Sequence, residues 1–316
     1  MARLYLGVDG GQSGTIALIA DESGRILGRG SGGPCNHVEA SEGRAKFFRA
    51  IEASLGAACQ QAGLDPAHVT FAAAALGFSG GAEDKDVYAR ELIRSAKYKI
   101  THDAEIALSG ATAGEPGIIV IAGTGSMAFG RNAEGQSARA GGWGYIFGDE
   151  GGGFDLTRLA LRAALRQEEG WGPTTLLRSY LLHATGATTV NELLHRFYAG
   201  LDRPFIASLS TYVTQAAEHG DPVALEILEK AAAKLAWFAE GVYQNLFRHG
   251  ECVPVAYIGG VFRSAPLLAG FSSQVAALIS CEVVAPRFSS AAGAVLDALR
   301  LDGNHSVLSA VPESDK

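Results

Sequence analysis

Two short glycine turns and two isolated aspartates in this chain have the residue types needed to handle phosphate. Gly7-Val8-Asp9-Gly10-Gly11-Gln12-Ser13 ends an apolar run on a carboxylate and follows it with a turn that lacks bulk. Glycine lets a backbone come close to a ligand and aim its N–H groups at phosphate oxygens. Gly10, Gly11, Gln12 and Ser13 are placed to do so, with Ser13 and Thr15 as hydroxyl donors. Asp9 is placed to hold a hydrated Mg2+, a hard cation that prefers oxygen ligands and keeps its waters. The plainer reading is a glycine-rich hairpin with Asp9 as a turn residue.

Gly123-Thr124-Gly125-Ser126 offers a second turn of the same kind. Through Gly123, Gly125 and Ala128 it also fits the loose G-x-G-x-x-A dinucleotide pattern, which requires a helix to follow. Residues 126–132 read instead as a short strand and a turn. The G-x-x-x-x-G-K-[ST] phosphate-loop pattern is absent.

Asp103 follows a short strand and precedes a helix, where an Asp commonly serves as an N-cap. Its functional alternative is a general base facing the γ-phosphate of a nucleotide. Such a base typically contributes about 10²–10⁴-fold in rate. The most unusual stretch is 141–153, a glycine-rich segment that holds Trp143, Tyr145 and Phe147 around Gly148-Asp149-Glu150-Gly151. Capping does not need so many glycines. Trp143 is suited to stack on a sugar face and Asp149 to accept sugar hydroxyls.

The elements that must position these residues read as alternating strands and helices. Strands are expected at 3–8, 15–20, 26–30, 69–76 and 98–101, with helices at 41–63 and 83–96. Near residue 114 the pattern restarts: strand 117–122, glycine turn, strand 126–130. Two copies of one strand–turn–strand device suggest two similarly built halves. Helices follow at 150–169, 204–219 and 222–249, then strand 253–258, helix 265–279, strand 282–285 and helix 290–301. Hairpins inside an alternating pattern predict α/β domains with mixed sheets. The expected division is 1–113, 114–301 and a loose tail at 302–316. The apolar helix 222–249 is read as a core helix, with a homodimer face as the alternative.

Bulk numbers narrow the class. With 316 residues, 47% of them hydrophobic, the chain can bury two cores. A net charge of -7 lacks the basic face that nucleic-acid binders show. Cys35, Cys59, Cys252 and Cys281 are scattered without metal-ligand spacing. No signal-peptide pattern opens the chain, and the apolar run 117–122 is too short to span a bilayer. A cytoplasmic setting is the expectation.

Taken together, Asp9-Gly10-Gly11, Asn36-His37, Asp103-Ala104, Gly123-Thr124-Gly125-Ser126, Gly141-Gly142-Trp143-Gly144, Gly148-Asp149-Glu150-Gly151 and Gly259-Gly260-Val261 resemble the N-acetylglucosamine kinases. More broadly, the set is similar to the BadF/BadG/BcrA/BcrD ATPase family, which includes activators of benzoyl-CoA reductase and hydroxyacyl-CoA dehydratase. The motifs run in the family's order from Leu4 to about Leu301. The resemblance implies two actin-like (ribonuclease H-like) α/β domains with ATP in an interdomain cleft. Gly259, Gly260 and Val261, with the helix start around Ala291 to Gly293, would then cradle the nucleoside. The catalytic base falls on Asp103, and the sugar contacts on Asn36, Gly80, Trp143, Gly144 and Asp149. ATP and Mg2+ are the implied cofactors, and the 6-hydroxyl of an amino sugar the implied acceptor. Such chemistry needs positioning and charge stabilisation more than covalent help, and domain closure to exclude water.

One departure touches the sugar. Where similar animal enzymes continue the second turn with a sugar-contacting Asn, this chain has Met127, which brings glucosamine and N-acetylmuramic acid into consideration. Three rival classes are weaker. A dehydratase activator needs cluster-ligating thiolates, and residues 127–166 contain no Cys. A pure sugar sensor would not need both turns and both aspartates. A polyphosphate hydrolase would not need Asn36, Trp143 and Asp149.

Overall fold

The structure is a computed structural model that describes residues 3–11, 13–35, 43–80 and 83–315. The chain forms two units, Met1–Pro116 with Ala285–Lys316, and Gly117–Val284.

The first unit is built on one five-stranded sheet. Strands β1 (Leu4–Gly10), β2 (Thr15–Asp21) and β3 (Ile26–Gly32) form an antiparallel meander, and β4 (Ala73–Phe78) and β5 (Tyr98–His102) add in parallel beside β1. The order is β3-β2-β1-β4-β5. Helices α1 (Gly43–Gln61), α2 (Glu83–Leu92), α3 (Asp103–Ala111) and α11 (Ser290–Leu301) cover both faces. Successive strand residues point to opposite sides. Leu6 and Val8 therefore join the cluster under α1, while Tyr5 joins the one under α11. With both faces covered, β4 reads as a continuous buried run rather than an alternating one.

The glycines of β3 show how closely α1 approaches. A Cβ at Gly28, Gly30 or Gly32 would lie 2.1, 1.9 or 2.1 Å from the carbonyls of Ala58, Ser54 and Ala50. Glycine at every second strand position meets small residues at every fourth helix position, so the helix backbone rests directly on the strand.

The second unit repeats the plan. β6 (Gly117–Ala122), β7 (Ser126–Arg131) and β8 (Ser137–Gly141) form the meander, and β9 (Val255–Ile258) and β10 (Val283–Val284) run parallel beside β6. The order β10-β9-β6-β7-β8 has the same connectivity as the first sheet. This is the doubled actin-like topology, with mixed sheets in both halves. Helices α4 (Gly153–Glu168), α5 (Leu177–Thr185), α6 (Val190–Tyr198), α7 (Arg203–Ser208), α8 (Ser210–Glu218), α9 (Pro222–Leu246) and α10 (Ala265–Ile279) complete the unit. α9 buries Ile227, Leu228, Leu235, Ala239 and Val242 in the core. Among the described residues no helix is long and apolar enough to cross a membrane.

Several expectations need correction. The change of unit comes after Pro116 rather than after residue 113, and the chain re-enters the first unit at Ala285. The reason is α11, whose buried face packs on β1, β4 and α3. The tail is not loose. Asn304 Nδ2 and Ser306 Oγ donate to the Glu22 carbonyl, Ser309 N donates to Gly24 O, and Arg29 Nε meets Asp315 at 2.6 Å. Leu308 and Val311 are buried beneath. The expected strand 69–76 begins only at Ala73. Helix 204–219 is two helices, α7 and α8, and β8, α5 and α6 were not foreseen.

Candidate active site

In the first unit β1, β4 and β5 end together, with Gly10 in register with Phe78 and Phe78 with His102. Ligands in open α/β sheets gather at such carboxyl ends. Asp9, Ser79 and Asp103 all stand there. Ser79 N donates to Gly10 O at 3.1 Å, tying the end of β4 to the first turn. Ser79 Oγ donates to Asp103 Oδ2 at 2.6 Å, and Ala104 N donates to Asp103 Oδ1 at 2.8 Å. The N-cap reading of Asp103 does not hold. His102 is the cap residue and Asp103 the first helical residue, where the helix dipole favours a carboxylate.

Asp9 is pushed up to about 7, first by burial and then by the charges of Asp103 and Asp315. Both charges acting on it are negative, so its surroundings suit a cation with a preference for oxygen. The pH consequence has a definite sign. Without a cation, ionising Asp9 destabilises the fold, so its contribution is most favourable below 3.8 and is lost as pH rises toward about 7. Asp9→Asn removes this titration and leaves the others. The wild-type Tm, measured by scanning calorimetry, is therefore expected to fall relative to Asp9→Asn from about pH 4 to about pH 8. Added Mg2+ should close the gap at the alkaline end. A gap that stays constant with pH would count against this description of Asp9.

The first turn spends some of its donors on itself. Gly11 N donates to Gly14 O, and Thr15, fully buried, donates its hydroxyl proton to Gly33 O at 2.8 Å. Thr15 thus closes the hairpin instead of offering its proton outward. Ser13 is exposed, and the amides of Ser13 and Gly14 have no partner among the described residues. Gly80 is exposed with φ +77°, directly after Ser79. Gln12 and Asn36 lie outside the described residues. Ala291 is buried on the first turn of α11, against Gly7 of β1.

The second unit holds a cavity of about 440 Å³. Gly123 and Thr124 line it from the turn after β6, and Gly260 and Val261 from the 3-10 turn after β9. Two separate sequence motifs therefore meet at one place. Ser208, Thr211, Thr214 and Gln215 complete one wall. Ser208 ends α7, and Thr211, Thr214 and Gln215, spaced by three and four, share one side of α8, a polar stripe visible in the sequence. Ser264 also lines the cavity, and its buried Oγ has no partner among the described residues.

Around that turn, Gly123 N donates to Gly125 O, while Gly153 N and Phe154 N donate to the carbonyls of Gly123 and Thr124. Ser126 is buried and donates its hydroxyl to Glu150 O. The amides of Thr124 and Gly125 have no partner among the described residues. These two, rather than Gly123 or Ser126, are the donors left for an anion.

Asp149 has φ +64°, an uncommon conformation for a residue with a side chain. It is held there on both sides. Its carboxylate would touch any Cβ at Gly125, at 2.5 Å, and accepts from Arg203 at 2.6 Å. Strain of this kind persists where the surroundings over-determine a functional residue. Arg203 was not read from the sequence, since 54 positions separate it from Asp149. Trp143 is 64% exposed, with the Arg139 guanidinium 4.7 Å over its ring. Gly144 turns at φ +81°, and Met127 packs beneath Gly142.

Known proteins resemble this chain along most of its length. A protein from Clostridium acetobutylicum named N-acetylmuramic acid/N-acetylglucosamine kinase is 34% identical over 271 residues, 83% of this chain and 86% of that one. One from Dictyostelium discoideum named N-acetyl-D-glucosamine kinase is 30% identical over 292 residues, 86% of this chain and 89% of its own length. A crystal structure from Chromobacterium violaceum, of a protein assigned as an N-acetylglucosamine kinase, superposes with a TM-score of 0.77 at 30% identity, covering 93% of this chain and 98% of that one. The model of the BadF/BadG/BcrA/BcrD ATPase family matches residues 6–298, and the chain belongs to that family.

Proposed function

We propose that this protein transfers the γ-phosphoryl group of ATP to the 6-hydroxyl of an amino sugar, with N-acetylglucosamine the favoured acceptor. The observation that carries the reading is the meeting of two motifs in the second unit. Gly123 and Thr124 of the one turn and Gly260 and Val261 of the other line one cavity with a polar stripe, which suits a nucleotide. The first unit contributes the acidic end of its sheet. There Asp103, oriented by Ser79, would take the proton from the sugar hydroxyl as it attacks. Asp9 would hold Mg2+ through its waters, and the ion would neutralise charge on the β- and γ-phosphates. Thr124 and Gly125 would donate their amides to phosphate oxygens. Trp143, Gly144 and Asp149 would contact the sugar, with Asn36 and Gly80 as further contacts.

Amino sugars are common to the names of the relatives, which favours that class over glucose. The specific acceptor is tested by coupled measurement of ADP release with N-acetylglucosamine, glucosamine, N-acetylmannosamine, N-acetylmuramic acid and glucose. The expected result is a kcat/KM for N-acetylglucosamine at least ~10²-fold above that for glucose, since a site built to hydrogen-bond an acyl-amino group rejects its absence. ATP consumption indifferent to every sugar would defeat the proposal. Met127 supplies no donor, so strong turnover of glucosamine or N-acetylmuramic acid would reassign the acceptor within the same chemistry.

A further inference from the structure

A second cavity, of about 540 Å³, lies in the second unit, lined by α4, α6 and α7. Its walls are apolar: Leu161, Leu165, Leu193, Phe197 and Ile206. Three arginines, Arg158, Arg162 and Arg203, also line it, and no lining residue is acidic. Two of them are already paired outside the lining, Arg158 with Asp155 at 2.5 Å and Arg203 with Asp149 at 2.6 Å. Arg162 has no such pair among the described residues. One positive charge therefore stands uncompensated beside an apolar chamber.

The same arginines carry a second signal. The Nε atoms of Arg158 and Arg203 are buried and have no acceptor among the described residues. A buried donor without a partner is costly, and few are tolerated without a reason. A volume of this size falls in the range of small-molecule sites, which are mostly apolar with a few polar groups that fix orientation.

We propose that this cavity binds an amphipathic monocarboxylate, with its apolar chain against Leu161, Leu193 and Phe197 and its head among Arg158, Arg162 and Arg203. The guanidinium fork matches a carboxylate, and the single uncompensated charge matches a monoanion. Tyr145 extends the site toward the Asp149 loop: the Arg203 guanidinium lies 4.9 Å from its ring centroid, and the ring packs on Phe154. The occupant thus touches the arginine that holds Asp149. The proposal stands independently of the sugar assignment, because it is read by binding alone.

The test is calorimetric titration of the full chain with octanoate, 1-octanol and octyl phosphate. Octanoate is expected to bind saturably at one per chain, about fourfold tighter per methylene across hexanoate to octanoate, and at least about tenfold tighter than 1-octanol. Arg162→Gln, at an exposed position, should weaken octanoate about tenfold and leave octanol unchanged. Leu194→Glu, at the partly exposed edge, should weaken octanoate similarly by repulsion. Absence of saturable octanoate binding, octanol binding as well as octanoate, or full octanoate affinity in Arg162→Gln would each overturn the proposal. Octyl phosphate binding tighter than octanoate would overturn the carboxylate assignment.

Discussion

Asp103→Asn is expected to lower turnover by about 10²–10⁴-fold while leaving ATP affinity close to wild type. The substitution is nearly isosteric. Asp103 accepts from Ser79 Oγ on one oxygen and from Ala104 N on the other. Asn can keep either contact, and the Ser79 hydroxyl can accept in turn from the new amide. What is lost is the capacity to take a proton. The cavity proposed for the nucleotide in the second unit contains none of these atoms, so ATP binding should survive. A second readout separates a chemical role from a structural one. Asp103 is one of the two charges that raise Asp9. Removing it should let Asp9 ionise at lower pH in the fold, so the Tm difference between Asp103→Asn and the Asp9→Asn/Asp103→Asn pair would still begin near pH 4 but end at a more acidic value. Steady-state kinetics, ATP titration and calorimetry across pH report the three quantities. Turnover within about tenfold of wild type would remove Asp103 from the chemistry.

The sequence exposes the parts of this site that depend on local backbone needs. A carboxylate at the end of an apolar strand and a turn without bulk leave marks in three or four consecutive residues. Asp9, Gly123 to Ser126 and Gly259-Gly260 were legible for that reason, and so was the repeated strand–turn–strand device. Asp149 was legible through its glycine-rich loop, but Arg203, which holds it, was not, since the pairing spans 54 positions and shows no period. Ser79 escaped notice similarly: only the register of β1, β4 and β5 brings it to Asp103. The tail shows the limit on a larger scale. Residues 302–316 look polar and aperiodic, and their order comes from bonds to Glu22, Gly24 and Arg29 near the other end of the chain. β8 has the sequence Ser-Ala-Arg-Ala-Gly, whose small residues give little strand signal. The turn amides show a finer limit. Composition says that glycines can offer N–H groups, but only the folded turn decides that Gly11 and Gly123 spend theirs internally.

Gly259→Ala is expected to weaken ATP binding at least about tenfold and to cost about 1–3 kcal/mol of stability, whereas Gly260→Ala changes stability by less than about 0.5 kcal/mol. Two penalties act at Gly259. Its φ of +113° with ψ 159° is a conformation essentially reserved for glycine. A Cβ there would also stand 2.2 Å from Ala122 O and 3.0 Å from Gly123 N. Relief requires the end of β9 to part from the end of β6. Those two ends carry the turns that line the proposed nucleotide cavity, so any separation moves Gly260 away from Gly123 and Thr124. At Gly260 a Cβ meets open space, and no unusual φ is demanded. The same added methyl is thus predicted to be costly at one position and nearly neutral at the next, which controls for the chemistry of the change. Denaturant unfolding reads the stability arm, and ATP titration reads the binding arm. Loss of stability in Gly259→Ala with unchanged ATP affinity would uphold the packing argument and reject the cavity as the nucleotide site. Unchanged stability would contradict the close approach of the two strand ends on which both arguments rest.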